Sequence, residues 1–196
     1  MKNRKSRYHR VTTETNIDLS LNLDGQGKYK VSTTLPFLDH MLELFSKHSL
    51  IDLTVKAHGD THIDAHHLVE DIGITLGGTL NEALGDKKGI QRYGFFLLPM
   101  DEALSYVAID LSGRAHVEYE AEGIKPNWTT FDLDLLEDFF RALAGAARMN
   151  LHIKVLKGRN NHHMAEAVFK AFGKALSMAV SKDKRYKGIP STKGSL

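Results

Sequence analysis

His66-His67-Leu68-Val69-Glu70 and His162-His163-Met164-Ala165-Glu166 are two copies of one pattern, His-His-x-x-Glu, and they decide how the whole chain is read. Each copy follows a short β-like segment and a glycine-containing turn, and each opens a stretch of helical periodicity. Leu53-Thr54-Val55-Lys56 stands ahead of the first pair as Leu151-His152-Ile153-Lys154 stands ahead of the second. Self-similarity of this kind marks a duplicated unit. Outward from the pairs, Val11–Leu23 alternates apolar and polar residues and ends at Asp24-Gly25, the signature of a strand entering a turn. Phe37–His48 has helical spacing, Leu50–Ala57 reads as a strand, and His66–Leu84 reads as a helix. Gly73, Gly77 and Gly78 inside that helix weaken it unless they allow close packing against a neighbour. In the second half, Ala103–Leu111 and Ala115–Ala121 read as strands, Asp134–Met149 as a helix, Leu151–Leu156 as a strand and His162–Val180 as a helix. The expectation is an α+β fold, a two-layer α/β sandwich built from tandem duplicated β-β-α-β-α half-units. The halves fall at about residues 8–90 and 91–185 of a single domain over 1–196, followed by a C-terminal tail at 186–196.

The chain has 196 residues, of which 42% are hydrophobic, enough for one globular unit or two small repeats sharing a core. A formal charge of +2 gives no case for a nucleic-acid partner. The basic N-terminal residues Lys2, Arg4, Lys5, Arg7 and Arg10 read as a solvated tail rather than a binding arm. With no cysteine, disulfides and thiolate metal sites are excluded, and any metal must be held by nitrogen and oxygen. The N-terminus lacks the apolar core of a signal peptide, and no apolar run approaches the roughly 20 residues of a membrane helix. The expectation is a soluble, cytoplasmic protein with no membrane partner.

On a helix, residues four apart share a face, so His66 with Glu70 and His162 with Glu166 each form a two-pronged grip. The middle histidines, His67 and His163, point about a quarter turn away and reach toward a second site. Random placement of this composition predicts roughly 0.03 copies of the pattern, so two copies signal more than one bound metal ion. The repeat also matches His40, at the start of the first helix, with Asp138. The candidate ligands are therefore His40, His66, His67, Glu70, Asp138, His162, His163 and Glu166. Mixed imidazole and carboxylate ligation suits manganese, iron, zinc or nickel, and the pattern does not choose among them. His9, His58, His62, His116 and His152 lack such support and read as structural or exposed; His48 is intermediate.

At these residues the chain resembles the imidazoleglycerol-phosphate dehydratase family, the hydro-lyases of L-histidine biosynthesis, over nearly its whole length. The matching stretches include Thr13-Glu14-Thr15-Asn16, Pro36-Phe37-Leu38-Asp39-His40-Met41-Leu42 and Gly59-Asp60-Thr61-His62-Ile63-Asp64-Ala65-His66-His67. They continue through Lys88-Gly89-Ile90-Gln91-Arg92-Tyr93-Gly94, Pro99-Met100-Asp101-Glu102-Ala103-Leu104 and Asp110-Leu111-Ser112-Gly113-Arg114. The last are Asn161-His162-His163 with Glu166 and Lys170, and Ile189-Pro190-Ser191-Thr192-Lys193-Gly194. The resemblance implies the duplicated architecture of the ribosomal protein S5 domain 2-like type and two Mn2+ per active site. It further implies sites formed between subunits and a homo-oligomer of about 24 chains. Because the chain starts just before the dehydratase motifs, it is expected to be monofunctional. Glu14 matches the family's acid/base carboxylate, with His48 a weaker partner. Arg92, Arg114, Lys170, Ser191 and Lys193 match its phosphate contacts, and Lys170 lies two turns along the helix that His162 and His163 begin. Three departures stand out. Ala65 replaces an Asp carried by many relatives, which is expected to loosen support for the ligands. Asp138 replaces His or Glu with a shorter arm, and Leu44 replaces a Gln.

The implied reaction takes water from D-erythro-imidazole-glycerol phosphate, a small phosphorylated imidazole, to give imidazole acetol phosphate. The carbon-bound proton that is lost has no adjacent carbonyl to acidify it. Divalent cations at both ring nitrogens would stabilise an imidazolate, which expels the hydroxyl next to the ring through a diazafulvene-like species. Two other classes use the same residues differently. A dinuclear metallohydrolase would release phosphate, and a non-enzymatic metal-binding scaffold would bind metal without turnover and have no need of Glu14, Arg92 or Lys170.

Overall fold

The computed structural model describes residues 4–125 and 131–196. The first half runs β1 (Lys5–Val11), β2 (Thr15–Asn22), β3 (Tyr29–Ser32), α1 (Pro36–Ser49), β4 (Asp52–Gly59) and α2 (His66–Leu84). The second half repeats the order as β5 (Tyr93–Met100), β6 (Ala103–Asp110), β7 (His116–Glu120), α3 (Leu135–Ala147), β8 (Asn150–Lys157) and α4 (Asn161–Val180). Two four-stranded mixed sheets result, ordered β1-β2-β4-β3 and β5-β6-β8-β7. In each, the last strand pairs parallel to its neighbour and the other pairings are antiparallel. The duplicated α+β arrangement is as the sequence suggests, with one additional leading strand in each half and with β3 in a stretch that was not read as a strand.

Those leading strands differ from the sequence reading. Residues expected as a solvated basic tail form β1, and cations in and beside it meet carboxylates on β2, just past its end and on α2. Arg4 pairs with Asp24, Arg7 with Asp18 and Arg10 with Asp71; Lys2 lies outside the described residues. In β5, Gly94 rests on α4, where a Cβ would overlap the Ala175 carbonyl oxygen.

β2 and β6 alternate buried and half-buried residues, and their inward side chains, among them Ile17, Leu19, Val107 and Ile109, face the helices. Helices α1 and α2 cover the first sheet, and α3 and α4 the second. The helix layers then meet crosswise, α2 on α3 and α1 on α4. Phe45, Phe139, Phe140, Phe169 and Phe172 fill this meeting plane, with Phe45 and Phe172 stacked at 5.3 Å and Phe140 at 5.0 Å from Phe169. Among the described residues no helix is long and apolar enough to cross a membrane.

Close contact between α2 and α3 depends on two of the three glycines. A Cβ at Gly73 would sit 2.7 Å from the Phe139 carbonyl oxygen, and one at Gly77 would overlap that of Leu143, whereas Gly78 meets nothing within 4 Å. Gly77→Ala is therefore expected to cost about 1–3 kcal/mol through forced separation of the helices. Gly78→Ala, at a half-buried position with room for the methyl, should instead stabilise the helix, by up to about 1 kcal/mol. Chemical-denaturation midpoints of the two variants check the pair; equal shifts would show that the helices do not meet there.

Candidate active site

The crosswise packing brings the first helix of each half against the second helix of the other. His40, in the first turn of α1, is placed by Asp39, whose Oδ1 accepts from the Thr33 backbone N–H at 2.7 Å and from its hydroxyl at 2.6 Å. His162 is placed by Asn160, whose side chain accepts from its backbone N–H at 2.9 Å and caps α4. The two imidazoles converge on Glu166, with Nε2 of His40 at 3.0 Å and Nε2 of His162 at 2.8 Å from the same Oε1. Lys170 donates to the other carboxylate oxygen. Burial would raise the Glu166 carboxyl, but hydrogen bonds from Lys170, His40 and His162 outweigh it and hold it at about 2. Three donor atoms from two helices thus lie within 4.8 Å of one another.

The symmetry-related set is more open. His66 is capped through its backbone N–H by Asp64 at 2.8 Å, and its Nδ1 lies 3.4 Å from Asp138 of α3. Glu70 is exposed and has no hydrogen-bond or ion-pair partner among the described residues, whereas Glu166 is 7% exposed. The expected equal grips are therefore unequal. Lys170 stands one turn beyond Glu166, but Ile74 holds that place beyond Glu70.

The middle histidines diverge from their neighbours: the His162 and His163 rings are perpendicular, with centroids 6.4 Å apart, and those of His66 and His67 are 6.0 Å apart. His67 Nδ1 lies 2.9 Å from Asp60 Oδ2 and 3.8 Å from Glu14. Glu14, Asp60 and His67 form a second group of metal-capable atoms within 4.8 Å of one another. His163 Nδ1 lies 2.8 Å from Glu102 Oε2, and that contact, with backbone N–H bonds, holds the Glu102 carboxyl at about 2. Glu102 went unnoticed as a site residue in the sequence reading. The available signal was position, since it immediately precedes the second strand of its half, as Glu14 does. Support that Ala65 was expected to weaken runs through Asp60 and Asp64 instead.

Arg92, Arg114, Ser191 and Lys193 line one open cavity of about 560 Å3, together with Tyr93 and Tyr186. Arg92 forks onto Asp110 at 2.6 and 3.0 Å and donates to the Pro190 carbonyl at 2.9 Å, which ties the C-terminal segment over the cavity. Among the described residues, two of its five N–H groups remain for a ligand. Lys170 is not brought to this cavity; Glu166 draws it into the imidazole cluster. His48 lies on the last turn of α1 against Gly173 of α4. Burial, then Lys170 and Lys174, hold its imidazole below the usual range. Among the described residues no hydrogen bond or ion pair joins it to Glu14. His9, His58, His62, His116 and His152 are exposed.

The donors fit a divalent cation. All are imidazole nitrogens or carboxylate oxygens, the donor set that first-row divalent ions take. His40, His162 and Glu166 would hold one ion; His66 and Asp138, 3.4 Å apart, would contribute to another, with Glu70 one turn along α2 from His66.

A model of the imidazoleglycerol-phosphate dehydratase family matches residues 33–176. An imidazoleglycerol-phosphate dehydratase of Endomicrobium trichonymphae is 61% identical over 196 residues and one of Desulforamulus reducens 57%, each over 100% of both chains. Among solved structures, the imidazoleglycerol-phosphate dehydratase of Staphylococcus aureus has a TM-score of 0.83 at 40% identity, covering 91% of this chain and 99% of that one. The Pyrococcus furiosus enzyme, in complex with (S)-C348, has a TM-score of 0.81 at 38% identity, covering 96% and 100%.

Proposed function

The chain belongs to the imidazoleglycerol-phosphate dehydratase family, and we propose that it removes water from D-erythro-imidazole-glycerol phosphate to give imidazole acetol phosphate, as a hydro-lyase of L-histidine biosynthesis. The reading rests most on the His40–His162–Glu166 cluster, a ready metal-binding group in a chain that also carries a cation-lined cavity. Two divalent cations, manganese by preference, would supply charge stabilisation for the substrate's ring as an anion, which gives electrons as the hydroxyl leaves and takes them back as the neighbouring carbon loses its proton.

The chain's own groups do the rest. Arg92, Arg114, Ser191 and Lys193 hold the phosphate, which fixes the glycerol chain relative to the ring. Glu14 exchanges protons: the hydroxyl next to the ring leaves as water once protonated, and the neighbouring carbon gives up its proton. The resulting enol becomes the ketone by taking a proton on the carbon beside the ring.

Three donors do not complete the coordination of a divalent ion, and His67 and His163 are turned away from the imidazoles beside them. Sites completed by a neighbouring copy would meet both needs, within a closed homo-oligomer of about 24 subunits. The two sheets differ in a way that supports this. β1 turns Lys5, Arg7 and His9 outward, whereas β5 turns out Tyr93, Phe95 and Leu97, which are 56%, 62% and 53% exposed. An apolar sheet face of that kind is suited to a second copy of the chain.

Incubating purified protein with the substrate tests the reaction directly. Keto product without phosphate release is expected; phosphate release would favour a metallohydrolase, and metal binding without turnover a scaffold. Removing residues 189–196 takes away Ser191, Lys193 and the Pro190 carbonyl. KM should then rise about a hundredfold, from two charge-assisted bonds worth about 3 kcal/mol together, while metal content stays constant. Unchanged KM would exclude the segment from phosphate binding.

A further inference from the structure

Glu14 and Glu102 occupy equivalent places, each immediately before the second strand of its half, yet the structure uses them differently. Glu102 is fully committed. Its Oε2 meets His163 Nδ1 at 2.8 Å, and its Oε1 accepts the backbone N–H groups of Arg159 at 3.2 Å and Asn160 at 2.9 Å, at the entry to α4. Glu14 lies 3.8 Å from His67 Nδ1, beyond hydrogen-bonding distance, because Asp60 already meets that nitrogen at 2.9 Å. Asp60 comes from the β4–α2 connection, a different part of the half-unit. Its side chain is 13% exposed against 50% for Glu14.

A neutral imidazole carries its proton on one nitrogen and a lone pair on the other. A fixed carboxylate at Nδ1 holds the proton there and leaves Nε2 as the ligand atom. We propose that Glu102 and Asp60 are positioning residues, which orient His163 and His67 so that Nε2 of each faces an ion. Asp60, by taking over in the first half the task Glu102 performs in the second, leaves Glu14 free for proton exchange. The assignment rests on the metal reading above and goes beyond it, dividing carboxylates that the duplication made equivalent.

The test uses the assembled protein, stripped with a chelator, then titrated with Mn2+ alone and followed by the resonance signal of the free ion. Glu102→Gln and Asp60→Asn keep the side-chain shapes but lose the negative charge that holds the Nδ1 proton. Each is expected to weaken Mn2+ binding about ten- to a hundredfold, with thermal midpoints of the metal-free proteins unchanged. Glu14→Gln is expected to bind Mn2+ as tightly as the parent while losing turnover, an outcome a merely structural role for these carboxylates would not produce. Should Glu102→Gln fail to fold, because its carboxylate also holds two backbone N–H groups, Asp60→Asn alone decides. Parental affinity in the positioning variants overturns the assignment, as does equal loss of binding in Glu14→Gln and Asp60→Asn. In parallel, parental affinity in both His67→Ala and His163→Ala would overturn the metal reading itself.

Discussion

Replacing His67 or His163 by alanine is expected to abolish turnover, by three orders of magnitude or more (about 4 kcal/mol in the barrier), and to break the assembly into smaller species. Both histidines stand apart from the His40–His162–Glu166 cluster, so either change leaves that cluster intact within its own chain. On the proposed reading, what is lost is the donor that one copy would lend to an ion held by another. The two effects therefore come together, and restoring the ion at high concentration should recover assembly before it recovers activity. Product formation and light scattering provide the readouts, with His58→Ala as an unaffected control, since His58 is exposed and outside both metal-capable clusters. Parental activity in either alanine variant would contradict a two-ion centre.

Glu14→Gln is expected to lower kcat by about 10²–10⁴-fold while KM stays near its parental value. The β1–β2 turn fixes the backbone beneath this side chain: Thr12 Oγ1 accepts the N–H of Glu14 at 3.1 Å and that of Thr15 at 2.9 Å. The carboxylate is thus presented on a hydrogen-bonded turn, exposed, and without a hydrogen bond of its own among the described residues. Glutamine preserves its shape but cannot take a proton. An unaltered kcat would remove Glu14 from the chemistry.

How far the sequence could be read depended on whether a signal was local. The start of α2 at His66 and of α4 beside His162 follow from the repeated pair and the periodicity behind it, and the structure begins both helices there. β1 escaped because its cations find partners only once β2 lies alongside, with Arg7 opposite Ser20 and next to Asp18. β5 escaped for a different reason. Phe95-Phe96-Leu97-Leu98 is apolar on both faces, so the period of two that marks a half-buried strand is absent. The candidate ligands were legible because imidazole–carboxylate spacing on a helix is short-range. Their inequality was not, although Ile74 and Lys170 were in view, because its effect appears only when His40 and Asp138 arrive from the opposite half. The tail illustrates the same limit: Ser191 and Lys193 have no periodicity, and their placement depends on Arg92 holding the Pro190 carbonyl.

Counting ions in active, assembled protein tests the account most directly. Elemental analysis alongside turnover should find two divalent cations per catalytic centre, with activity lost on chelation and regained when Mn2+ returns. Full activity in protein stripped of its ions, or with only one per centre, would contradict it.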